Sequence, residues 1–325
     1  MGIFQKRQAF KPYEYPEILK YRQAIKQSRW DVEEFNFNSD VHEFKHKLNH
    51  KEQQVIKRTL LAISQIEISV KTFWMKLGDH FPKPEFNSIG ATFGENEVVH
   101  AEAYSKLLEV LGFNSEFDLL LENPVIGGRV DYLTKYLKNS GDNQQQVYTL
   151  NLALFSMFIE NVSLFSQFAI IKAFKEHKNL LKEVDTVIEA TMKEEIIHAQ
   201  LGMYLINQVK IEYPEWFNEE FYAKIERACK KAYNAESKIL EWIFQEGEIE
   251  SITLAQVNEF IKSRFNDSLK TIGCKEIFQI DDEVLKPLYW MMESIYGYVR
   301  NDFFDTQGTN YTKFNKAITA EDLFD

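Results

Sequence analysis

Two short stretches, FGENEVVHAEAY at residues 93–104 and MKEEIIH at residues 192–198, share the spacing Glu-x-x-His. Each stretch contains one such pair: Glu97 with His100, and Glu195 with His198. Residues three apart on a helix lie on one face, so each pair presents a carboxylate and an imidazole to the same point. Both groups are ligands for iron and manganese. The two stretches therefore predict helices that bind a transition metal.

This spacing is weak evidence by itself, because Glu43 and His46 show it too in a chain with seven His. Stronger evidence comes from two carboxylates that stand alone in apolar sequence. Residues 149–171 read TLNLALFSMFIENVSLFSQFAII, and Glu160 is the only charge among them. Residues 59–70 read TLLAISQIEISV, and Glu67 is the only charge there. An isolated ionised carboxylate on a buried helix is very costly unless it binds a cation.

The order of these residues is repeated along the chain. A lone Glu precedes a Glu-x-x-His by 30 residues in the first half (67 to 97) and by 35 in the second (160 to 195). Two lone glutamates and two Glu-x-x-His pairs form the ligand set of the dinuclear centre in ferritin-like four-helix bundles. The alternative is four unrelated buried acids. We predict a metal centre with six ligands: Glu67, Glu97, His100, Glu160, Glu195 and His198.

Composition supports a large helical protein. The chain has 325 residues, 45% of them hydrophobic, with only 13 Gly and 7 Pro. Its net charge of −11 has no polybasic run, which argues against binding to nucleic acid or to an anionic membrane. Cys229 and Cys274 have neither disulfide-framework nor zinc spacing, so we expect reduced thiols. The first residues lack a signal-peptide core, and polar residues interrupt 149–171. We expect a cytoplasmic protein in which 149–171 is a buried helix.

Hydrophobic periodicity predicts an all-α fold, a ferritin-like bundle of about eight long helices with the dinuclear site in its core. The predicted helices span about 51–78, 85–111, 144–175, 180–209, 215–246, 253–272 and 284–300, with a shorter one ending near 138. Residues 1–50 are expected to form an extended arm followed by short helices, and to belong with the rest of 1–300 to one metal-binding domain.

Residues 301–325 lack helical or strand periodicity, which predicts a flexible C-terminal tail. Its end, AEDLFD at 320–325, combines acids with two apolar residues. This composition suits either docking in the groove of a partner or a frayed terminus, and does not decide between them.

The chain resembles the small (β) subunit of class I ribonucleotide reductase over nearly its whole length. The sequence from Glu97 to Tyr104 resembles the family's Glu-x-x-His-x-x-x-Tyr, and Glu194 to His198 resembles its Asp-Glu-x-x-His. Glu160 and the phenylalanines after it also match the family pattern, with Leu164 and Phe168 beside the site. Trp30, in Trp-x-x-Glu-Glu, and Tyr311, in Asn-Tyr-Thr-Lys, match the two aromatic residues of its radical relay.

The resemblance implies that the metal pair reacts with an oxygen species and stores an oxidising equivalent on the metals or on Tyr104. Trp30 and Tyr311 would then relay it to the large (α) subunit, where ribonucleotides are reduced. A homodimer, docking of the tail on the large subunit and a flavoprotein activator are further expectations from the family. Two other functions stay open: a dinuclear-metal oxidase or desaturase acting on a lipid, and a ferritin-like storage protein. Tyr311 and the acidic tail favour the reductase subunit.

Three positions depart from the family pattern. The first ligand is commonly Asp, and an ungapped alignment puts Gln65 near its position. Gln65 and Glu67 lie about 200° apart around a helix, and the apolar stripe selects Glu67 as the inward residue. The carboxylate expected to link His100 toward Trp30 is Glu194 where the family has Asp.

The third departure is that the longer Glu67 could hydrogen-bond Tyr104. An all-glutamate carboxylate set of this kind is similar to what we expect in the manganese-using subclass. That subclass keeps the oxidising equivalent on the metals instead of tyrosine, so manganese is the preferred metal and iron the alternative.

Overall fold

The computed structural model describes residues 2–117, 122–129 and 144–301, and the regular structure in these ranges is helical. Nine helices of nine or more residues lie within them. They are α1 (Ile18–Ser28), α2 (Asn38–His46), α3 (His50–Met75), α4 (Pro84–Leu111), α5 (Gln144–Lys178), α6 (Lys182–Glu212), α7 (Glu219–Ile243), α8 (Leu254–Thr271) and α9 (Tyr289–Asn301). The predicted all-α class is confirmed. The end of the predicted helix near 138, and the tail beyond 301, lie outside the described residues.

Local sequence signals set the ends of the two helices that begin the bundle. Asn49 and Glu52 form a capping box at the start of α3, in which each side chain accepts from the backbone N–H of the other residue. Pro84 occupies the first turn of α4, and Gly112 ends it in the left-handed conformation at φ 85°. Helix α3 ends at Met75, three residues before the predicted end, and a separate turn, Leu77–His80, follows it.

Four helices surround the centre of the bundle. Helix α3 packs along α4, and α5 packs on α6, so each half of the repeated sequence pattern forms one pair. The crossing of α3 and α4 depends on Gly90, where a Cβ atom would lie 2.6 Å from the backbone oxygen of Trp74. The helix axes therefore approach at a point that has no room for a side chain.

Helix α5 is the most deeply buried of the long helices. Among the described residues it alone is long and apolar enough to cross a membrane, yet 94% of its most apolar window is buried inside the protein. The predicted burial of 149–171 is therefore correct. Within this helix the segment Phe155–Ser163 is a π-helix between two α-helical parts, Gln144–Leu154 and Leu164–Lys178. A uniformly apolar stretch gives no signal that separates i+4 from i+5 hydrogen bonding.

The close approach at Gly90 gives a stability test. We expect Gly90→Ala to lower the free energy of unfolding by about 1–3 kcal/mol, because the new methyl group overlaps a rigid backbone carbonyl. Gly297→Ala is the matched control, since it also lies in a helix but a Cβ there has no neighbour within 4 Å. Replacing that glycine should raise stability by about 0.5–1 kcal/mol. Denaturant unfolding of both variants measures the difference, and equal effects would contradict the packing described.

Candidate metal centre

The six predicted ligands come from four different helices and meet in the core. Helix α3 contributes Glu67 and α5 contributes Glu160, while α4 and α6 each contribute one Glu-x-x-His pair. All six side chains are 0% exposed. Side chains on long packed helices have few ways to move apart, so the bundle holds these groups together.

The ligand atoms form two overlapping groups, each with its atoms within 4.8 Å of one another. One group is Glu67, Glu97, His100 and Glu195, and the other is Glu97, Glu160, Glu195 and His198. Glu97 and Glu195 belong to both groups. Two carboxylates shared by two adjoining clusters are the arrangement required to bridge a pair of metal ions.

Both imidazoles direct Nδ1 into these groups. His100 Nδ1 lies 3.0 Å from Glu195 and 3.7 Å from Glu97, and His198 Nδ1 lies 2.9 Å from Glu97 and 3.5 Å from Glu195. These short distances join atoms that are not aligned as hydrogen-bond partners. The atoms instead lie close together in two groups, as ligands of a shared cation do.

The hydrogen-bonding needs of the cluster support the same interpretation. The carboxylate oxygens of Glu67, Glu97 and Glu195, and Nδ1 of both histidines, are buried without hydrogen-bond partners. Buried polar atoms are normally paired, and unpaired ones cost stability. Oxygen and imidazole nitrogen donors in this number suit divalent iron or manganese. The donor set therefore fits a dinuclear metal centre.

Electrostatics in the cluster show how strongly it attracts positive charge. Burial raises the pKa of Glu67 and of Glu160 well above the usual value, and for Glu160 the charge of Glu195 adds to the effect. Burial also acts on Glu97, but the nearby histidines outweigh it and lower its pKa to about 2. The pKa of His198 rises to about 10, because the charges of Glu97 and Glu195 outweigh burial. The carboxylates thus favour cationic partners at this point of the core.

A second chain of contacts leads from His100 toward the surface. His100 Nε2 lies 2.8 Å from a carboxylate oxygen of Glu194, which also accepts from Trp30 Nε1 at 2.9 Å. Because a carboxylate only accepts, this contact favours a proton on Nε2, the form of His100 that would leave Nδ1 for a metal. Glu194 therefore contacts both His100 and Trp30, although it is longer than the Asp of the family pattern, and its linking role stays a prediction.

Three donors near these residues were not predicted. Asn96 Nδ2 and Ser28 Oγ each donate to Glu194 at 2.8 Å, and Trp74 Nε1 donates to Glu160 at 2.5 Å. Trp74 lies seven residues after Glu67, on the same face of its helix. A buried indole N–H needs a hydrogen-bond partner. The position of Trp74 on the same face as Glu67 therefore could have indicated a donor to the carboxylate cluster.

The two candidates for the α3 ligand face different surroundings. Glu67 points into the cluster, whereas Gln65 accepts a hydrogen bond from Arg129 Nε at 3.3 Å. Arg129 also lies 3.6 Å from the carboxylate of Glu236, outside the cluster. The selection of Glu67 by its apolar stripe agrees with this geometry, and its role as a metal ligand stays a prediction.

The hydrogen bond expected between Glu67 and Tyr104 is not formed. The hydroxyl of Tyr104 and both carboxylate oxygens of Glu67 lack hydrogen-bond partners. Burial, and then the charge of Glu67, raise the pKa of Tyr104 well above its usual value. The expectation was wrong because it rested only on the length of the Glu67 side chain, whereas helix packing determines the positions of the carboxylate and the hydroxyl.

The remaining predicted residues lie at different depths. Leu164 and Phe168 are fully buried beyond Glu160 on α5, and their role beside the site stays a prediction. Trp30 is 7% exposed and borders a cavity of about 420 Å³ between α1 and α4. Three cationic side chains line this cavity: Arg22, Lys26 and Arg29. Tyr311 lies outside the described residues.

Comparison with known proteins places these features in a family. Residues 7–285 match the family model described as ribonucleotide reductase, small chain. A probable ribonucleoside-diphosphate reductase small subunit of Invertebrate iridescent virus 3 is 24% identical over 94% of this chain and 85% of its own.

Two solved structures show the same fold. The ribonucleotide reductase R2 subunit from Clostridium botulinum has a TM-score of 0.77 at 16% identity, covering 89% of this chain and 91% of its own. The dimanganese(II) NrdF from Streptococcus sanguinis has a TM-score of 0.72 at 16% identity, covering 90% and 100%.

The opposite orientations of Glu67 and Gln65 give a test of the ligand set. We expect Glu67→Ala to lose tight binding of one of two Mn²⁺ ions, because one of the two groups loses a carboxylate. Gln65→Ala should keep both ions, yet unfold more easily by about 1–3 kcal/mol because Arg129 loses an acceptor. Metal analysis after equilibrium dialysis measures the first effect, and denaturant unfolding measures the second. Loss of metal from Gln65→Ala with retention in Glu67→Ala would reverse the assignment.

Proposed function

Because the chain belongs to the ribonucleotide reductase small-chain family, we propose that it is the radical-generating β subunit of a class I ribonucleoside-diphosphate reductase. The observation that carries this proposal is the pair of ligand groups that share Glu97 and Glu195. A metal pair bound there would supply the oxidising equivalent that starts ribonucleotide reduction in the large subunit.

The protein's own residues would hold and isolate this centre. Glu67, Glu97, His100, Glu160, Glu195 and His198 are proposed as its ligands. The aromatic rings of Phe93 and Trp74 lie 4.2 Å and 5.9 Å from the His198 ring, centroid to centroid, and both side chains are fully buried. Such an apolar wall would keep bulk water from the metals. Hydrogen bonds to Glu160 and His100 would fix the orientation of these two ligands.

The contacts around Glu194 support a role in relay. Trp30 is tied by one hydrogen bond to the carboxylate that also holds His100, and its ring is stacked 6.1 Å from the His100 ring. An electron leaving Trp30 toward the centre would therefore cross only this short contact. The cavity beside Trp30 gives its outer side access to the surface. We propose that Trp30 passes the oxidising equivalent outward to Tyr311.

The proposed assembly follows from this route. Residues 301–325 would form a tail, separate from the metal-binding domain at 1–300, that docks on the large subunit and brings Tyr311 to the interface. A homodimer and a flavoprotein activator are also proposed, and we expect the assembly in the cytoplasm. A lipid oxidase built on the same centre would need neither Tyr311 nor the tail.

We propose manganese as the preferred metal. Glutamate at position 67 gives a carboxylate set of four glutamates, which resembles the set expected in the manganese-using subclass. The S. sanguinis structure of similar fold contains dimanganese(II), which supports the choice of metal.

The relay assignment predicts that Tyr311→Phe stops nucleotide reduction without affecting assembly of the oxidised centre. The variant loses only the hydroxyl whose proton must leave with the electron. Turnover with the large subunit should fall at least about a hundredfold, which corresponds to an activation barrier higher by about 2.7 kcal/mol. Tyr289→Phe, at an exposed tyrosine of α9, is the control and should keep normal turnover. Normal turnover by Tyr311→Phe would remove it from the relay.

The metal assignment predicts that manganese-loaded protein reduces nucleotides faster than iron-loaded protein, and that Tyr104→Phe keeps most of this activity. Activity assays after loading with each metal, together with electron paramagnetic resonance, test both expectations. The competing case is an ordinary di-iron tyrosyl-radical subunit. A long-lived tyrosyl radical in active iron-loaded protein, lost together with activity in Tyr104→Phe, would establish that case.

A further inference from the structure

The π-helical segment of α5 has an unusual partner on helix α8. Arg264 is 5% exposed and donates to the backbone oxygen of Asn161 from Nε at 2.9 Å and from Nη2 at 2.7 Å. It also donates to the side-chain oxygen of Asn161. Its guanidinium carbon lies 4.4 Å from the ring centre of Phe165. One side chain therefore binds the residue directly after Glu160 in three ways.

Ser268, one turn further along α8, binds the same segment. Its hydroxyl donates to the backbone oxygen of Met157 at 2.9 Å and accepts from Asn161 Nδ2 at 2.8 Å. Together Arg264 and Ser268 contact two backbone carbonyls of the π-helix, three residues before Glu160 and one residue after it.

These contacts are costly to maintain. Within the described part of the chain, no carboxylate lies within ion-pair distance of Arg264, so its partners are neutral oxygens and an aromatic ring. Burial lowers the pKa of Arg264 to about 10, which leaves it charged at neutral pH. Removing a charge from water costs several kcal/mol. Among the described residues no ion pair offsets that cost, although the charge of Asp267 acts on Arg264 from a greater distance. Fold stability alone therefore does not explain this arginine.

The π-helix itself needs support from outside. Its i→i+5 pattern, seen where Leu164 N donates to Ile159 O, is rare and occurs often at functional sites. An α-helix advances 100° per residue, so conversion of Phe155–Ser163 to α-helix would rotate Glu160 relative to the flanking turns. Trp74 holds the carboxylate of Glu160 by its side chain, but nothing in that contact fixes the backbone.

We propose that Arg264 and Ser268 are positioning residues that keep Phe155–Ser163 in the π-helical form and thereby aim Glu160 into the metal cluster. Neither residue touches the cluster itself. Arg264 and Ser268 act through Met157 and Asn161 on the backbone that carries the ligand. The metal-binding consequence rests on the proposed function, whereas the backbone consequence does not.

Hydrogen exchange and metal binding on the full-length protein test this proposal. In Arg264→Met, amides of residues 157–166 should exchange at least about tenfold faster than in the wild type. The affinity for the second Mn²⁺ should fall about 10- to 100-fold, the range for residues that orient metal ligands. Electron paramagnetic resonance should then show the signal of an isolated Mn²⁺. Arg264→Lys, which keeps a cationic donor group but not the planar guanidinium, should recover part of both effects.

Asn266→Ala is the matched control, because Asn266 is buried on the same helix but bonds to residues 277 and 278. It should leave both the exchange of 157–166 and the metal affinity unchanged. Wild-type exchange and affinity in Arg264→Met would overturn the proposal, as would equal losses in Asn266→Ala. If the wild type binds no metal pair, the proposed function fails, and faster exchange confined to 157–166 in Arg264→Met still supports the positioning role.

Discussion

The structure depends on one electrostatic constraint: four carboxylates and two imidazoles are held together in a core that excludes water. Glu67, Glu97, Glu160 and Glu195 come from four helices and are fully buried. Carboxylates repel one another strongly in a low-dielectric interior. Burial raises the pKa of Glu67 and of Glu160, and repulsion from neighbouring carboxylates adds to this effect. The charges of Glu97 and Glu195 raise the pKa of His198. A pair of divalent cations held between Glu97 and Glu195 would offset the repulsion.

Packing around the cluster holds the proposed ligands in place despite this repulsion. A glycine contact sets the approach of α3 to α4, and Trp74 holds Glu160 from the side. Glu194 holds His100 by the nitrogen that faces away from the cluster. The same carboxylate binds Trp30, so the contact that orients a ligand is also the start of the proposed electron route. Glu194 alone therefore both supports the proposed centre and connects it to Trp30.

The clustering of these six side chains could be predicted from the sequence, because a lone charge in an apolar helix has few explanations. Glu67 and Glu160 were identified in this way, and spacing identified the two histidines. The features that were missed depend on contacts between helices. The π-helix of α5 lies in a stretch whose apolar pattern is the same for either helical form. The donor from Trp74, and the missing hydrogen bond between Glu67 and Tyr104, follow from helix packing that sequence spacing does not contain.

The most direct test of this account is a titration of the metal-free wild-type protein with Mn²⁺, followed by electron paramagnetic resonance and metal analysis. Two Mn²⁺ ions are expected to bind per chain, and their spins should couple if both ions share Glu97 and Glu195 as ligands. The signal of isolated Mn²⁺ should therefore stay weak until both positions are filled. Binding of a single ion with an isolated signal, or of none, would contradict a dinuclear centre at this site.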